Sequence, residues 1–407
     1  MSARADLLIL GGGLVGMATA IAAARRGFTA HVVDRALPEA QTAPGFDGRA
    51  SAISTASWNL FRNIGLADAL EPLGCPIASI AVTDAMRPGA LDFRPDPGDD
   101  TLGRMFANRD LRMALFDAAK REDAIIWHAG AEVVSRQRDA HGVRVELADG
   151  PVLEAALMIG AEGRGSPTRE DAGIAIAKWD YRHRAIVAGL RHEKPHENVA
   201  WEIFYPAGPF ALLPLNDASD GGDLPHRSAL VWTVDEADAK GVLAMGERAF
   251  IAEVHKRMGD MFGALASEGA RASFPLGFHH TTRIVADRLA LVGDAAHGIH
   301  PIAGQGLNLG LRDAAALVEV LEEGARLGLE PGDAQLLSRY ENWRGLDSFM
   351  VALATDGLTR LFGVPGRTAS AIRRLGMAGV QRTPALKRFF MNEARGVSGD
   401  LPELLRG

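Results

Sequence analysis

The stretch Arg288–Leu317, RLALVGDAAHGIHPIAGQGLNLGLRDAAAL, decides how the rest of the 407-residue chain is read. Leu289–Val292 is a short apolar run closed by Gly293, the pattern of a buried strand. Asp294 follows where that strand ends. A loop without side-chain bulk at Gly304 and Gly306 then leads into a helix from about Leu307. Strand, acid, glycine turn and helix N-terminus together aim backbone N–H groups and the positive end of a helix dipole at a ligand. Ionised Asp294 can only accept hydrogen bonds, which suits a ribose or ribityl hydroxyl.

The N-terminus carries a second device of this kind. Asp6–Leu10 reads as a buried parallel strand, and Gly11, Gly13 and Gly16 supply GxGxxG spacing at the start of a helix running to about Arg26, with Leu14 and Val15 in its first turn. Gly27 is placed as the C-cap. Thr29–Val33 is the next strand and ends in Asp34. Gly11 makes the turn, Gly13 lets backbone approach a pyrophosphate, and Gly16 lets helix pack on strand. Asp34, 18 residues after Gly16, is placed to take the adenosine ribose hydroxyls and to repel a 2′-phosphate. FAD or NAD is therefore favoured over NADP at this site. Leu7–Ala24 is apolar enough to resemble a signal peptide, but Gly11–Gly13 would break its helix, and no other run is long enough to span a bilayer.

The string GDAAHGIHPIAGQGLNLGLRD resembles the GD-containing motif of FAD-dependent aromatic hydroxylases (class A flavoprotein monooxygenases), most closely the branch acting on ubiquinone precursors. The resemblance runs from Asp6 to about Gly396. It implies an α/β fold like that of p-hydroxybenzoate hydroxylase. A Rossmann-like FAD-binding domain would be formed from 1–75, 100–172 and 273–345, with an inserted, mainly antiparallel substrate domain from 76–99 and 173–272 and a helical region over 346–407. It also implies that Gly293 and Asp294 hold the ribityl chain and that Pro301 lies against the isoalloxazine. Gly304, Gln305, Gly306, Leu307 and Asn308 would then direct N–H groups at the pyrimidine end of the flavin. Phe46–Ser54, FDGRASAIS, resembles a segment of this branch that runs beside the flavin, with Arg49 and Ala50 at the cofactor. In Ala107–Leu115, ANRDLRMAL, Arg109 matches a residue that reaches the flavin phosphate or ribityl chain, and Arg112, one turn on, could do the same. Leu157–Arg169, LMIGAEGRGSPTR, resembles a DG motif tied to FAD and NAD(P)H handling, closed by Arg169. Its acid here is Glu162, one methylene longer than the family's aspartate.

Between Gly173 and Arg271 the pattern changes. Ala185–Arg191, Val199–Tyr205, Phe210–Leu215 and Ser228–Val234 read as strands, and Glu247–Met261 as a helix. Phe204–Leu215, FYPAGPFALLPL, resembles a pocket segment of the ubiquinone branch, so Phe204, Phe210, Leu213 and Pro214 are the expected substrate wall. The same residues would equally fill a sheet core. A wall with almost no charge suits a polyprenylated ring better than a small carboxylated phenol. The region from Gly357 to Phe390 interleaves Arg360, Arg367, Arg373, Arg374, Arg382, Lys387 and Arg388 with Leu361, Phe362, Leu375, Met377, Phe389 and Phe390, without an acid. That pattern fits contact with an anionic membrane surface and fits equally the solvated face of packed helices.

The totals narrow the field. Net charge is −7, against a nucleic-acid binder, and Cys75 is the sole cysteine, which rules out an internal disulfide or CxxC pair and fits a reducing compartment. There is no second GxGxxG of comparable quality, no HExxH and no GxSxG, and His279, His280, His297 and His300 read as loop residues, so no metal is assigned. The resemblance implies reduction of FAD by NAD(P)H, or by a reductase or ferredoxin donor, and reaction with O2 to a flavin hydroperoxide that hydroxylates a phenolic ring. The expected substrate is a polyprenylated phenol of ubiquinone biosynthesis and the expected location cytoplasmic, peripheral to the inner membrane or within a quinone-biosynthesis complex. A hydroxylase of a small soluble aromatic, an FAD oxidase or reductase, and a flavin-binding scaffold are the competing readings. No acid–base residue is nominated, because the cofactor carries the chemistry.

Overall fold

The computed structural model describes residues 4–43, 48–86, 91–95, 101–298, 305–345 and 367–407. Pro301 and Gly304 lie outside the described residues, as do His300, Phe46 and Asp47. Elements are numbered in chain order. The first sheet contains β1 (Ala5–Leu10), β2 (Ala30–Asp34), β8 (Ile125–Ala129), β11 (Val152–Gly160), β17 (Val285–Ala286) and β18 (Leu289–Leu291) in the order β17-β18-β11-β1-β2-β8. Its pairings are parallel except β17 on β18. The hairpin β9 (Val133–Arg138) and β10 (Val143–Leu147), which turns at His141–Gly142 as expected, extends it from β11. Leu7, Leu8 and Ile9 have no exposed surface, the signature of a parallel strand covered on both faces. Each contributes about 1.5–3 kcal/mol by burial.

Helix α1 (Leu14–Arg25) packs between this sheet, α5 (Asn108–Ala119) and α9 (Gln305–Arg326). The residues from Met17 to Ala23 are buried without a polar face, so the apolar stretch resembling a signal peptide is a core strand and helix. Two short helices, α2 (Pro38–Gln41) and α4 (Ala67–Leu70), flank α3 (Thr55–Asn63), which Ser54 caps by accepting the Ser57 N–H. Asn59 and Asn63 donate to the Leu405 and Leu404 carbonyls at 3.2 and 2.9 Å, which returns the C-terminal residues to the first core.

The second sheet runs β19-β16-β12-β15-β14-β13-β5-β6. It comprises β5 (Ser79–Asp84), β6 (Leu91–Phe93), β12 (Ile176–His192), β13 (Val199–Tyr205), β14 (Gly208–Leu215), β15 (His226–Asp235), β16 (Leu265–Thr281) and β19 (His297–Gly298). All its pairings are antiparallel except β13 with β5. A third, small sheet of β3 (Ala50–Ser54), β4 (Cys75–Pro76) and β7 (Gly103–Ala107) lies between the two. The expected domain boundary at 272–273 falls inside β16, because that strand pairs with β12 through Thr281. Helices α7 (Glu236–Ala244) and α8 (Glu247–Met258) cover one face of the second sheet. The left-handed Gly259 ends α8 three residues before the expected Met261 stop, and α7 had no counterpart in the sequence reading.

Helix α10 occupies 334–345. A short helix, α6 (Pro167–Asp171), follows β11, and the C-terminal region holds α11 (Arg367–Arg382) and α12 (Pro384–Arg395). Met377 of α11 packs with Leu91 and Phe204, and Arg373 forms a buried ion pair with Asp84 at 3.1 Å. The helical region is thereby fastened to the edge of the second sheet. Replacing Arg373 by Leu should break this buried pair and cost about 3–5 kcal/mol, seen as a lower Tm. Replacing Asp84 by Leu as well should restore most of the loss; a double variant as unstable as the single one contradicts this account.

Candidate cofactor and substrate site

The glycines of the first turn divide the work as their spacing implies. Gly11 has φ +103°, and a Cβ there would lie 2.4 Å from the Ala161 carbonyl oxygen. At Gly16 a Cβ would meet the Gly11 oxygen at 1.9 Å, so helix and turn touch. At Gly13 no described atom comes within 4 Å, and the N-terminus of α1 has no side-chain cap. A polar helix end facing open space is a receptor for an anion. Asp34 closes the turn by accepting the Gly12 N–H at 2.7 Å on one oxygen and the Ala36 N–H at 2.7 Å on the other. Each oxygen retains acceptor capacity toward a sugar hydroxyl.

The second turn, at Gly293–Ala295, is fixed from four directions. Val15 of α1 would touch a Cβ at Gly293 (3.2 Å) and at Gly310 (2.7 Å), so α1, the turn and α9 meet around one valine. Arg169 donates to the Ala295 carbonyl at 3.2 Å and to the Arg164 carbonyl at 2.9 Å. His279, from β16, bonds the Asp294 carbonyl at 2.8 Å. The tightest hold is Asp313 of α9, which sequence reading passed over. Its fully buried carboxylate accepts the Gly293 N–H at 3.0 Å, His297 Nε2 at 2.6 Å and Arg344 Nε at 2.8 Å. Tyr340, one turn before Arg344, donates to the Leu291 carbonyl at 2.8 Å. Burial alone would push the Asp313 carboxyl up, but the charges and hydrogen bonds of His297 and Arg344 outweigh it and leave it lowered.

This network leaves the Asp294 side chain outward, 43% exposed, with Arg164 at 3.3 Å. Gln305 and Gly306 begin α9, where no described atom lies within 4 Å of a Cβ at Gly306. Asn308 is buried, accepting the Ser54 N–H at 2.9 Å and donating to Ala52 at 2.8 Å. Its side chain thus locks α9 to β3. Arg49 and Ala50 lead into β3, beside Asn108. Arg109 bonds the Thr42 and Ala43 carbonyls at 3.1 and 3.0 Å and lies 3.6 Å from Asp110, so it staples the loop after α2. Glu162 accepts from Ser166 Oγ at 2.5 Å and the Thr168 N–H at 3.1 Å, with Arg136 at 3.4 Å. The extra methylene lets it brace the start of α6. Among the described residues no cluster of three His, Cys, Asp or Glu could hold a metal.

The expected substrate wall splits between two faces. A strand turns successive side chains to opposite sides. Phe210, fully buried, joins Trp232, Ile203 and Phe250 beneath α7 and α8, and Pro214 shares its parity. Phe210 is thereby corrected from pocket wall to helix-side core, because β14 pairs Phe210 with Trp232. Leu213 is on the other face, packed with Ala50, Ala52 and Met105 of the small sheet, and Phe204 is on that face with Leu91 and Met377. Glu202, between Ala200 and Phe204 on β13, belongs to the same face by the strand's pleat. The FYPAGPFALLPL reading began two residues too late to include it.

If Asp313 ties the second turn as described, its lowered pKa contributes stability present above the ordinary carboxylate range and lost as pH falls through the native value. Asp313→Asn should therefore lower the unfolding free energy at neutral pH and flatten its decline on acidification. Denaturant titrations from neutral pH to about pH 3 check this; an acid limb as steep as wild type contradicts it.

The geometry accords with the comparisons to known proteins. Residues 4–346 match the family described as FAD binding domain. The chain is 43% identical over 406 residues to a ubiquinone hydroxylase of Rhodospirillum rubrum, covering 99% of this chain and 93% of the relative. It is 32% identical to the 3-demethoxyubiquinol 3-hydroxylase of Escherichia coli, covering 96% and 98%. Its fold matches the crystal structure of p-nitrophenol 4-monooxygenase from Pseudomonas putida with a TM-score of 0.78 at 16% identity, over 97% of this chain and 98% of that one. The two open glycine turns and their acids fit FAD, and the chain belongs to the FAD-dependent aromatic hydroxylases of ubiquinone biosynthesis.

Proposed function

We propose that the protein hydroxylates the ring of a polyprenylated phenol, with NAD(P)H as the transient reductant. The observation carrying this reading is the face of the second sheet opposite β3, where Val82, Leu213 and Phe93 are half-buried and apolar. Such a wall recognises a hydrocarbon chain and keeps water from the reacting ring. Bound FAD supplies activation of O2 after two-electron reduction. In this reading Asp34 holds the adenosine ribose and Asp294 the ribityl chain. Gly13 with the α1 N-terminus faces the pyrophosphate, and the main chain of Gly306–Asn308 faces the pyrimidine edge.

A second observation supports contact with a membrane surface. On α12, Leu386 and Phe389 are 41% and 55% exposed, beside Arg382, Lys387 and Arg388. Apolar side chains flanked by cations suit the boundary of an anionic bilayer, at about 1 kcal/mol per basic residue. No helix among the described residues is long and apolar enough to cross a membrane. In a quinone-biosynthesis complex the same face would be available to a partner.

The FAD-loaded protein should oxidise NAD(P)H at least about tenfold more efficiently with 2-geranylphenol than with phenol, since each buried methylene is worth about 0.8 kcal/mol. Equal stimulation by the two would favour a small soluble aromatic substrate. Asp294→Ala removes only an exposed ion pair, so folding should be nearly unchanged while FAD content after purification falls. Full flavin content in that variant would contradict the assignment. Phe389→Ser with Arg388→Ser should weaken flotation with phosphatidylglycerol vesicles; binding unchanged from wild type would count against α12 as the contact.

A further inference from the structure

Glu202 is an acid where the sheet has no structural use for one. It sits at the centre of β13, flanked on one side by Val82 of β5 and on the other by Ala211 of β14. Along its own face, Ala200 packs into the cluster shared with β3 and β7, and Phe204 into the cluster shared with α11. No described residue bonds or pairs with its carboxylate. Yet the side chain is only half-buried. An interior residue that keeps accessible surface borders a space rather than being packed. The face Glu202 lies on is the one Ala200 shares with β3 and β7, where the substrate reading puts the ring.

We propose that Glu202 is the polar anchor of the substrate pocket, its carboxylate accepting the hydrogen bond of the substrate's phenolic hydroxyl. This rests on the phenol reading above and deepens it. A lone carboxylate in an apolar wall has one unmet need, a donor, and a phenol is the donor its substrate class brings. A hydrogen bond to a carboxylate draws the phenol toward phenolate and enriches the ring in electrons, as attack by an electrophilic oxygen requires. Burial pushes the Glu202 carboxyl up to about 7, with no neighbouring charge contributing. Among the described charged groups of the packed elements, Asp84 and Arg373 pair with each other, as do Asp92 of β6 and the adjoining Arg94; Arg104 of β7 lies over the Trp58 ring, and Cys75, pushed up to about 12, stays a neutral thiol. The anchor is therefore ionised above about pH 7 and protonated below it.

The test compares 2-geranylphenol with its methyl ether, 2-geranylanisole, which lacks the donor, binding to FAD-loaded wild type, Glu202→Gln and Glu202→Leu. Binding is followed through the flavin absorbance without reductant. Wild type should prefer the phenol by about tenfold to a hundredfold at pH 8, the span of a charged hydrogen bond. The preference should shrink as pH falls through about 7. Both variants should lose it while FAD affinity stays unchanged. Glu202→Leu should be at least as heat-stable as wild type, because it removes an unmet buried acid; a purely structural glutamate would give the reverse. A preference retained in both variants, or one that grows on acidification, overturns the assignment and leaves the substrate class standing. A wild type indifferent to both probes overturns the anchor and the substrate class together.

Discussion

The Asp313 carboxylate is the point on which the cofactor half of this protein turns. It gathers the N–H of Gly293, the ring of His297 and the guanidinium of Arg344 inside a buried core. A buried charge is costly unless it is paired and hydrogen-bonded, and here its two oxygens take three donors. The same group that satisfies the helix interior therefore dictates where the turn after β18 lies. With Val15 packed against Gly293 and Gly310, that turn has one position relative to α1. The starts of α1 and α9 thus acquire a fixed separation around the Val15 side chain.

The remaining half follows from strand parity. Two cores flank the second sheet, one under α7 and α8, the other shared with the small sheet. Aromatic bulk such as Phe210, Trp232 and Phe250 gathers on the helix side. Smaller residues, Ala200, Ala229 and Leu213, meet β3. Helix α11 closes the edge of this face through Met377, packed on Phe204 and Leu91, and through the Arg373–Asp84 pair. The cationic C-terminal helices and this face of the second sheet are therefore continuous parts of one structure.

Features read from short-range spacing were legible in the sequence. The three glycines, Asp34 and the Gly293–Asp294 pair announce themselves because turn geometry is local. What escaped depends on pairing at a distance. Asp313 sits in RDAAAL, where one acid on a helix looks solvated; only the return of Arg344 from α10 makes it a buried hub. Phe210 and Leu213 are chemically alike, and which faces the small sheet is set by β14 pairing with β15. Glu162 looked like a defect in a binding motif, but its partners Ser166 and Thr168 give its length a use. Glu202 alternates with Trp201 and Ile203 as any outward-facing residue would, until the strand is found to have no solvent side.

The account stands on the claim that the buried network around Asp313, rather than contacts to the cofactor alone, sets the FAD site. Titrating apoprotein with FAD, in wild type and in Asp313→Asn at a temperature where both are folded, tests it most directly. The account predicts FAD binding weakened by about tenfold or more in the variant, although Asp313 itself is sealed from any ligand. Equal dissociation constants in two folded proteins would contradict it.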